Sequence, residues 1–171
     1  MTNGLKDNKL RKIIQLKNEV YKMIYKEEIR DLFSVPDDYY LAHCISADFA
    51  LGAGIAVEFV KRFDMRQKLN LIYPYYEINW KSNGLIGDCK LVDRVFNLIT
   101  KEHYWNKPTY ISMLIALESM YSICINKGIR KIAIPIIGCG LDKLEWGKVS
   151  ELIKKTFSNL DDMEILVCKQ K

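Results

Sequence analysis

The apolar positions of this 171-residue chain fall into short runs divided by polar turns, and their period changes along the chain. Tyr39 to Ile45 is an apolar run of strand length, preceded by the turn Pro36-Asp37-Asp38 and followed by Ser46. Arg94 to Thr100 alternates through Val95, Phe96, Leu98 and Ile99, which predicts a strand that delivers Lys101 at its end. Lys107-Pro108-Thr109 opens a helical segment to about Asn126, with Pro108 in its first turn and Gly128 as its stop. The stripe Met113, Leu114, Leu117, Met120, Tyr121 and Cys124 marks the core face of that helix. A strand over Lys131 to Ile136, a helix from about Trp146 to Phe157 and a last strand near Glu164 to Cys168 follow. This β-α-β-α-β order predicts a helix-flanked sheet with ligands at its strand ends.

Elsewhere the pattern is less decisive. Residues 9 to 29 begin with a helical period, but Val20 to Tyr25 fits a strand equally well. Asp31-Leu32-Phe33 closes that segment. Leu51-Gly52-Ala53-Gly54-Ile55-Ala56 leads small residues into a helical pattern that ends near Phe63. Residues 70 to 93 are mixed, with turn signals at Asn83-Gly84 and Gly87-Asp88.

The length predicts one domain with a full core, and the composition, 49% hydrophobic and 27% charged, is that of an ordinary soluble protein without repeats. The net charge of +5 is partly concentrated in Lys6, Lys9, Arg11, Lys12 and Lys17, a pattern better matched by a solvated helix face than by a nucleic-acid patch. Five widely spaced cysteines without a C-x-x-C pair signal neither a disulfide framework nor a zinc site and lead us to expect a reducing, cytoplasmic setting. No run reaches the roughly 18 apolar residues of a membrane span, and no membrane partner is expected.

Two loops have a composition suited to phosphate. Ile134-Pro135-Ile136-Ile137-Gly138-Cys139-Gly140-Leu141-Asp142 is an apolar run that stops in two glycines and an acid, and Gly52 to Ala56 starts a helix with small residues. Both allow close approach of an anion to backbone N–H groups, and both also fit a tight turn or close helix packing. His43 and Cys44 are adjacent on a strand and therefore point to opposite faces, a poor geometry for a nucleophilic dyad, so His43 reads as a core histidine. No serine stands in a G-x-S-x-G setting, and no spacing supports a metal. Lys101, Asp142 and Asp31 remain as polar candidates, and residue type alone does not assign their roles.

Taken together, Ala42-His43-Cys44-Ile45-Ser46, Gly52-Ala53-Gly54-Ile55-Ala56, Leu98-Ile99-Thr100-Lys101, Lys107-Pro108-Thr109-Tyr110 and Ile137-Gly138-Cys139-Gly140-Leu141-Asp142 resemble, in order, the motifs of macrodomains of the terminal ADP-ribose protein glycohydrolase branch. The likeness runs from about Asp31 to the last strand. It divides the chain into an N-terminal extension, 1–19, which is an added helix or a flexible segment, and a macrodomain, 20–171. The branch commonly has glycine before the equivalent of Asp31, where this chain has Arg30.

The resemblance implies a three-layer α/β/α fold with a mixed central sheet and a cleft for ADP-ribose. By that analogy Asp31 accepts from the adenine amino group with Leu32 alongside. Ser46, Gly52, Ala53, Gly54, Ile55 and Ala56 line the diphosphate and distal ribose, and Ile136, Ile137, Gly138, Cys139, Gly140 and Leu141 wrap the pyrophosphate. Lys101 attacks the anomeric carbon to form a lysyl-ADP-ribose intermediate while Asp142 moves protons, with no metal or other cofactor. The implied activity is removal of mono-ADP-ribose from Glu or Asp side chains of proteins, with deacetylation of O-acetyl-ADP-ribose as a further activity. ADP-ribosylated proteins are the implied partners. Alternatives are a hydrolase for ADP-ribosylated DNA, a non-catalytic ADP-ribose reader and a general nucleotide-binding protein.

Overall fold

The computed structural model describes residues 3–20 and 23–171. The chain opens with helix α1 (Asn3–Val20), on which Leu5, Leu10 and Ile13 are exposed. Met1 and Thr2 of the N-terminal extension, and Tyr21 and Lys22 in the middle of the ambiguous Val20 to Tyr25 run, lie outside the described residues. Strand β1 (Ile24–Ile29) takes up the end of that run.

A single 3-10 turn, Leu32–Ser34, then leads to β2 (Tyr40–Ser46). Helices α2 (Ala56–Phe63), α3 (Met65–Ile72) and α4 (Tyr76–Ser82) follow, and the hairpin β3 (Asp88–Val92) and β4 (Val95–Lys101) turns through Asp93 and Arg94. The second half is α5 (Tyr110–Lys127), β5 (Lys131–Ile134), α6 (Trp146–Phe157) and β6 (Glu164–Lys169). The sheet has the order β1-β6-β5-β2-β4-β3, parallel except for β3, which pairs antiparallel with β4. This is the expected mixed sheet.

Alternation along the strands produces the three layers. Leu41, Ile45, Val95 and Ile99 face one core with Phe59, Met65, Leu69 and Trp80 of α2, α3 and α4. Ala42, Phe96, Leu98, Ile132 and Ile165 face the other with Met113, Leu117, Val149 and Ile153 of α5 and α6. His43 and Cys44 divide as expected. The His43 ring stacks on Phe59 at 3.9 Å and its Nε2 lies 2.6 Å from Asn97 Oδ1, whereas Cys44 packs against the opposite core.

Three elements differ from the sequence expectation. Strand β5 stops at Ile134 rather than Ile136, because Pro135 has no N–H to continue the ladder, and this releases Ile136 and Ile137 into the following loop. Pro108 precedes helix α5 rather than occupying its first turn. Thr109 is the N-cap and forms a capping box with Ser112, a device worth about 1 kcal/mol. The mixed stretch before β3 contains α3 and α4, and Gly87 passes so close to α5 that an added Cβ would lie 2.4 Å from the Ser112 carbonyl oxygen.

Candidate active site

Because β1, β5, β2 and β4 are parallel, their following residues emerge on one edge of the sheet. Ser46 and Lys101 are the last residues of β2 and β4, and Asp31 and the Ile136 to Asp142 loop lie beyond the ends of β1 and β5. A register shift between Ile45 and Ser46 sets Ser46 opposite Lys101 and joins the end of β2 to the end of β4.

Lys101 Nζ donates to Asp142 Oδ1 at 2.7 Å, with the two side chains only 14% and 16% exposed. The strand end supplies the amine and the glycine loop supplies the carboxylate. Screening by water is weak for so enclosed a pair, so the carboxylate is placed to receive the lysine proton directly. Two thiols lie near it. Burial foremost, and the Asp142 carboxylate next, push the Cys44 thiol well above its ordinary pKa, and the same two causes raise Cys139. Both stay protonated at neutral pH.

The glycine loop is shaped around that pair. Gly138 has φ +73°, a conformation that calls for glycine, and an added Cβ would also displace the Met113 methyl, 2.8 Å away. Leu144 N–H donates to the Gly138 carbonyl at 2.8 Å and Lys107 Nζ to the Leu141 carbonyl at 2.7 Å, closing the loop from both sides. Among the described residues, the turn over Ile137 and Gly138 draws the Cys139 N–H toward the Ile136 carbonyl, while the N–H groups of Ile137, Gly138, Gly140, Leu141 and Asp142 meet no protein acceptor. They form a row of donors available to an anion.

The second loop is held by residues that pattern reading did not single out. Asp48 accepts from Ser46 Oγ at 2.5 Å, Ala50 N–H at 3.1 Å and Tyr104 N–H at 2.9 Å. Arg66 donates to the Ala50 and Leu51 carbonyls at 2.9 and 3.0 Å. Phe49 and Leu51 carry φ values of +52° and +43°, and their buried side chains hold this left-handed backbone in place at a cost of about 1 kcal/mol or more each. Gly52, Ala53 and Gly54 are exposed beyond this anchor, and Gly54 has φ +61°.

The remaining candidates separate. Asp31 lies three strand spacings, roughly 14 Å, from the end of β2, a distance suited to an elongated ligand spanning the sheet edge. One of its oxygens accepts from Phe33 N–H at 3.0 Å as the cap of the 3-10 turn. Arg30 braces that turn by donating to Ser34 Oγ and to the Ser34 carbonyl, both at 3.1 Å. Leu32 and Ile137 bury their side chains in the two cores, so only their backbone borders the site. Ala56 is also buried, Ile55, Ile136 and Cys139 are half-buried, and Gly140 and Leu141 are exposed.

Comparison with models of known protein families gives no match. The human ADP-ribose glycohydrolase OARD1 is 41% identical over 133 residues, covering 77% of this chain and 82% of the relative. A DNA ADP-ribosyl glycohydrolase of Mycobacterium tuberculosis is 23% identical over 140 residues, 77% of this chain and 38% of that protein. Among solved structures, the macrodomain of Thermus aquaticus DarG superposes with a TM-score of 0.70 at 22% identity, covering 85% of this chain and 98% of that one. The chain belongs to the macrodomain family, in the terminal ADP-ribose glycohydrolase branch.

Proposed function

We propose that this protein is an ADP-ribosyl hydrolase that removes mono-ADP-ribose from the carboxylate side chains of proteins, with Lys101 as nucleophile and Asp142 as proton carrier. The observation that carries the reading is the enclosed 2.7 Å contact between Lys101 and Asp142, at the end of the glycine loop. The human relative's name as an ADP-ribose glycohydrolase supports the same chemistry.

In the proposed reaction Asp142 takes a proton from the Lys101 ammonium, and the freed amine attacks the anomeric carbon of the distal ribose. A C–N bond forms as the C–O bond to the glutamate breaks, and its electron pair leaves with the side-chain carboxylate. The new amine passes a proton to Asp142 as Asp142 delivers one to the ring oxygen and the ring C–O bond breaks, leaving an imine between Lys101 and the opened ribose. Water then adds to the imine carbon, and the C–N bond breaks to release Lys101 as an amine and the ribose as an aldehyde that recloses. The donors of Ile137 to Asp142 and of Gly52 to Ile55 hold the diphosphate and fix the ribose over Lys101. Asp31 takes the adenine end. In the same reading O-acetyl-ADP-ribose is a further substrate of this cleft, where water releases its acetyl group as acetate.

A second reading, removal of ADP-ribose from a nucleobase in DNA, draws support from the name of the mycobacterial relative and from the net charge of +5. The test is release of ADP-ribose from a glutamate-modified peptide and from a thymidine-modified oligonucleotide by wild type, Lys101→Ala and Asp142→Ala. Release from the peptide by wild type alone supports the protein hydrolase. Release only from the oligonucleotide moves the activity to DNA, and ADP-ribose binding without release from either leaves a reader.

A further inference from the structure

The segment between Lys101 and Lys107 carries two large aromatic side chains that the proposed reaction does not use. Tyr104 is 64% exposed and Trp105 62% exposed. This exposure does not come from a loose loop. His103 N–H donates to Asn106 Oδ1 at 2.8 Å, Tyr104 N–H donates to Asp48, and the flanking Lys101 and Lys107 both reach the glycine loop, at Asp142 and at the Leu141 carbonyl. The segment is therefore tied to both candidate ligand loops and stands at the mouth of the site.

Trp105 is also built as a platform. The His103 ring stacks beneath it at 4.4 Å with an interplanar angle of 11°, and Tyr104 meets it edge-on at 5.0 Å. The His103 ring is flanked in turn by two carboxylates, with Nδ1 3.0 Å from Glu77 Oε1 and Nε2 3.6 Å from Glu102 Oε1. Those side chains keep 48% and 34% of their surface exposed. At the base of this segment an open depression of about 410 Å³ is lined by Thr100, Lys101, Glu102, Asn106 and Lys107, with Trp80. The Thr100 hydroxyl in that wall is buried and has no hydrogen-bond partner.

We propose that Trp105, bordered by Glu77 and Glu102, is a specificity-determining contact that holds an arginine of the substrate polypeptide next to the ADP-ribosylated residue. A planar guanidinium stacks on an indole face and pairs with carboxylates at its edge, and an exposed tryptophan beside two acids offers both. The same two acids oppose the phosphates of a nucleic acid, so charge favours a basic peptide over a DNA strand. The depression borders Lys101 and shares Glu102 with the acidic edge of the platform, and it receives the residue that carries the modification. This inference rests on the reading of the site as one for ADP-ribosylated proteins, and it adds which of them are preferred.

The test measures binding and turnover separately. Peptides with a non-hydrolysable, amide-linked ADP-ribose and either arginine or alanine beside the modified position are titrated into wild type, Trp105→Ala, Trp105→Phe and Glu77→Gln, with free ADP-ribose as reference. The expected result is about tenfold tighter binding of the arginine peptide by wild type, a ratio near one in Trp105→Ala, an intermediate ratio in Trp105→Phe and Glu77→Gln, and unchanged affinity for ADP-ribose in all four. With the glutamate-ester peptides, the same preference is expected in KM and not in kcat. Equal wild-type affinity for the two peptides overturns the proposal, as does a Trp105→Ala variant that weakens both equally. Loss in Trp105→Ala of binding to an ADP-ribosylated oligonucleotide, with peptide binding intact, assigns the platform to a nucleobase instead. Arginine-selective binding without turnover of the esters preserves the platform and removes the hydrolase reading, so the two failures are distinct.

Discussion

Ser46 at the end of β2 stands opposite Lys101 at the end of β4, because the strand register shifts by one residue between Ile45 and Ser46. The shift interrupts the ladder at the point where the chain leaves the sheet. It joins the loop anchored by Asp48 to the strand that bears the proposed nucleophile, and Ala47 N–H extends the junction by donating to the Lys101 carbonyl at 2.9 Å. The four predictions below test this joined arrangement and the core beneath it.

Asp48→Ala removes an acceptor shared by Ser46, Ala50 and Tyr104. Each hydrogen bond to a carboxylate contributes about 1.5–3 kcal/mol, and the strained Phe49–Leu51 backbone depends on them. We expect ADP-ribose affinity to fall at least tenfold by calorimetry and the thermal midpoint to drop by several degrees. Unchanged affinity would show that the anchor does not shape the ligand loop.

Gly138→Ala forces a Cβ toward Met113 Cε in a left-handed backbone. The conformation costs about 1–2 kcal/mol, and the flexible Met113 methyl gives way at small further cost. A fall in Tm of about 2–8 °C, together with weakened ADP-ribose binding, is expected from thermal unfolding with and without ligand. Gly140→Ala, where nothing lies within 4 Å of the added atom and φ is ordinary, is expected to leave Tm within about 2 °C.

His43 titrates with the fold. Burial lowers its pKa to about 4, against a partial upward pull from Asn97. The unfolded chain therefore binds a proton below pH 6.5 that the native core refuses, so stability rises with pH between about 4 and 6.5 and is level above. A pKa change of this size corresponds to about 3 kcal/mol lost from pH 7 to pH 4. Urea unfolding at several pH values should show that His43→Gln lacks this part of the slope, while an identical slope in both proteins would place a proton on the native imidazole.

Local chemistry made much of this molecule readable beforehand. The ends of β2 and β4, the glycine loop and the C-terminal alternation of strands and helices follow from short-range patterns, and Gly128 stops α5 with φ +69° where expected. Helices α3 and α4 were not readable, because the stretch from Met65 to Ser82 mixes apolar and polar residues without one stripe and is interrupted by Tyr73-Pro74-Tyr75. Asp48 and Arg66 were missed for a different reason. Asp48 binds Tyr104 from 56 positions away and Arg66 binds Ala50 from 16, so neither role exists until the chain has folded. The contact between Lys101 and Asp142 is of the same kind, spanning 41 positions, and its residue types alone gave no geometry.

The most direct test of the account is reductive trapping on Lys101. The protein is mixed with a glutamate-ADP-ribosylated peptide, quenched with cyanoborohydride and digested for mass spectrometry, alongside Lys101→Ala and Asp142→Ala. Wild type is expected to carry a single ADP-ribosyl adduct on Lys101 and Lys101→Ala none, with peptide turnover at least 10²-fold slower in both variants. Turnover by Lys101→Ala at the wild-type rate, or an adduct confined to another residue, would contradict it.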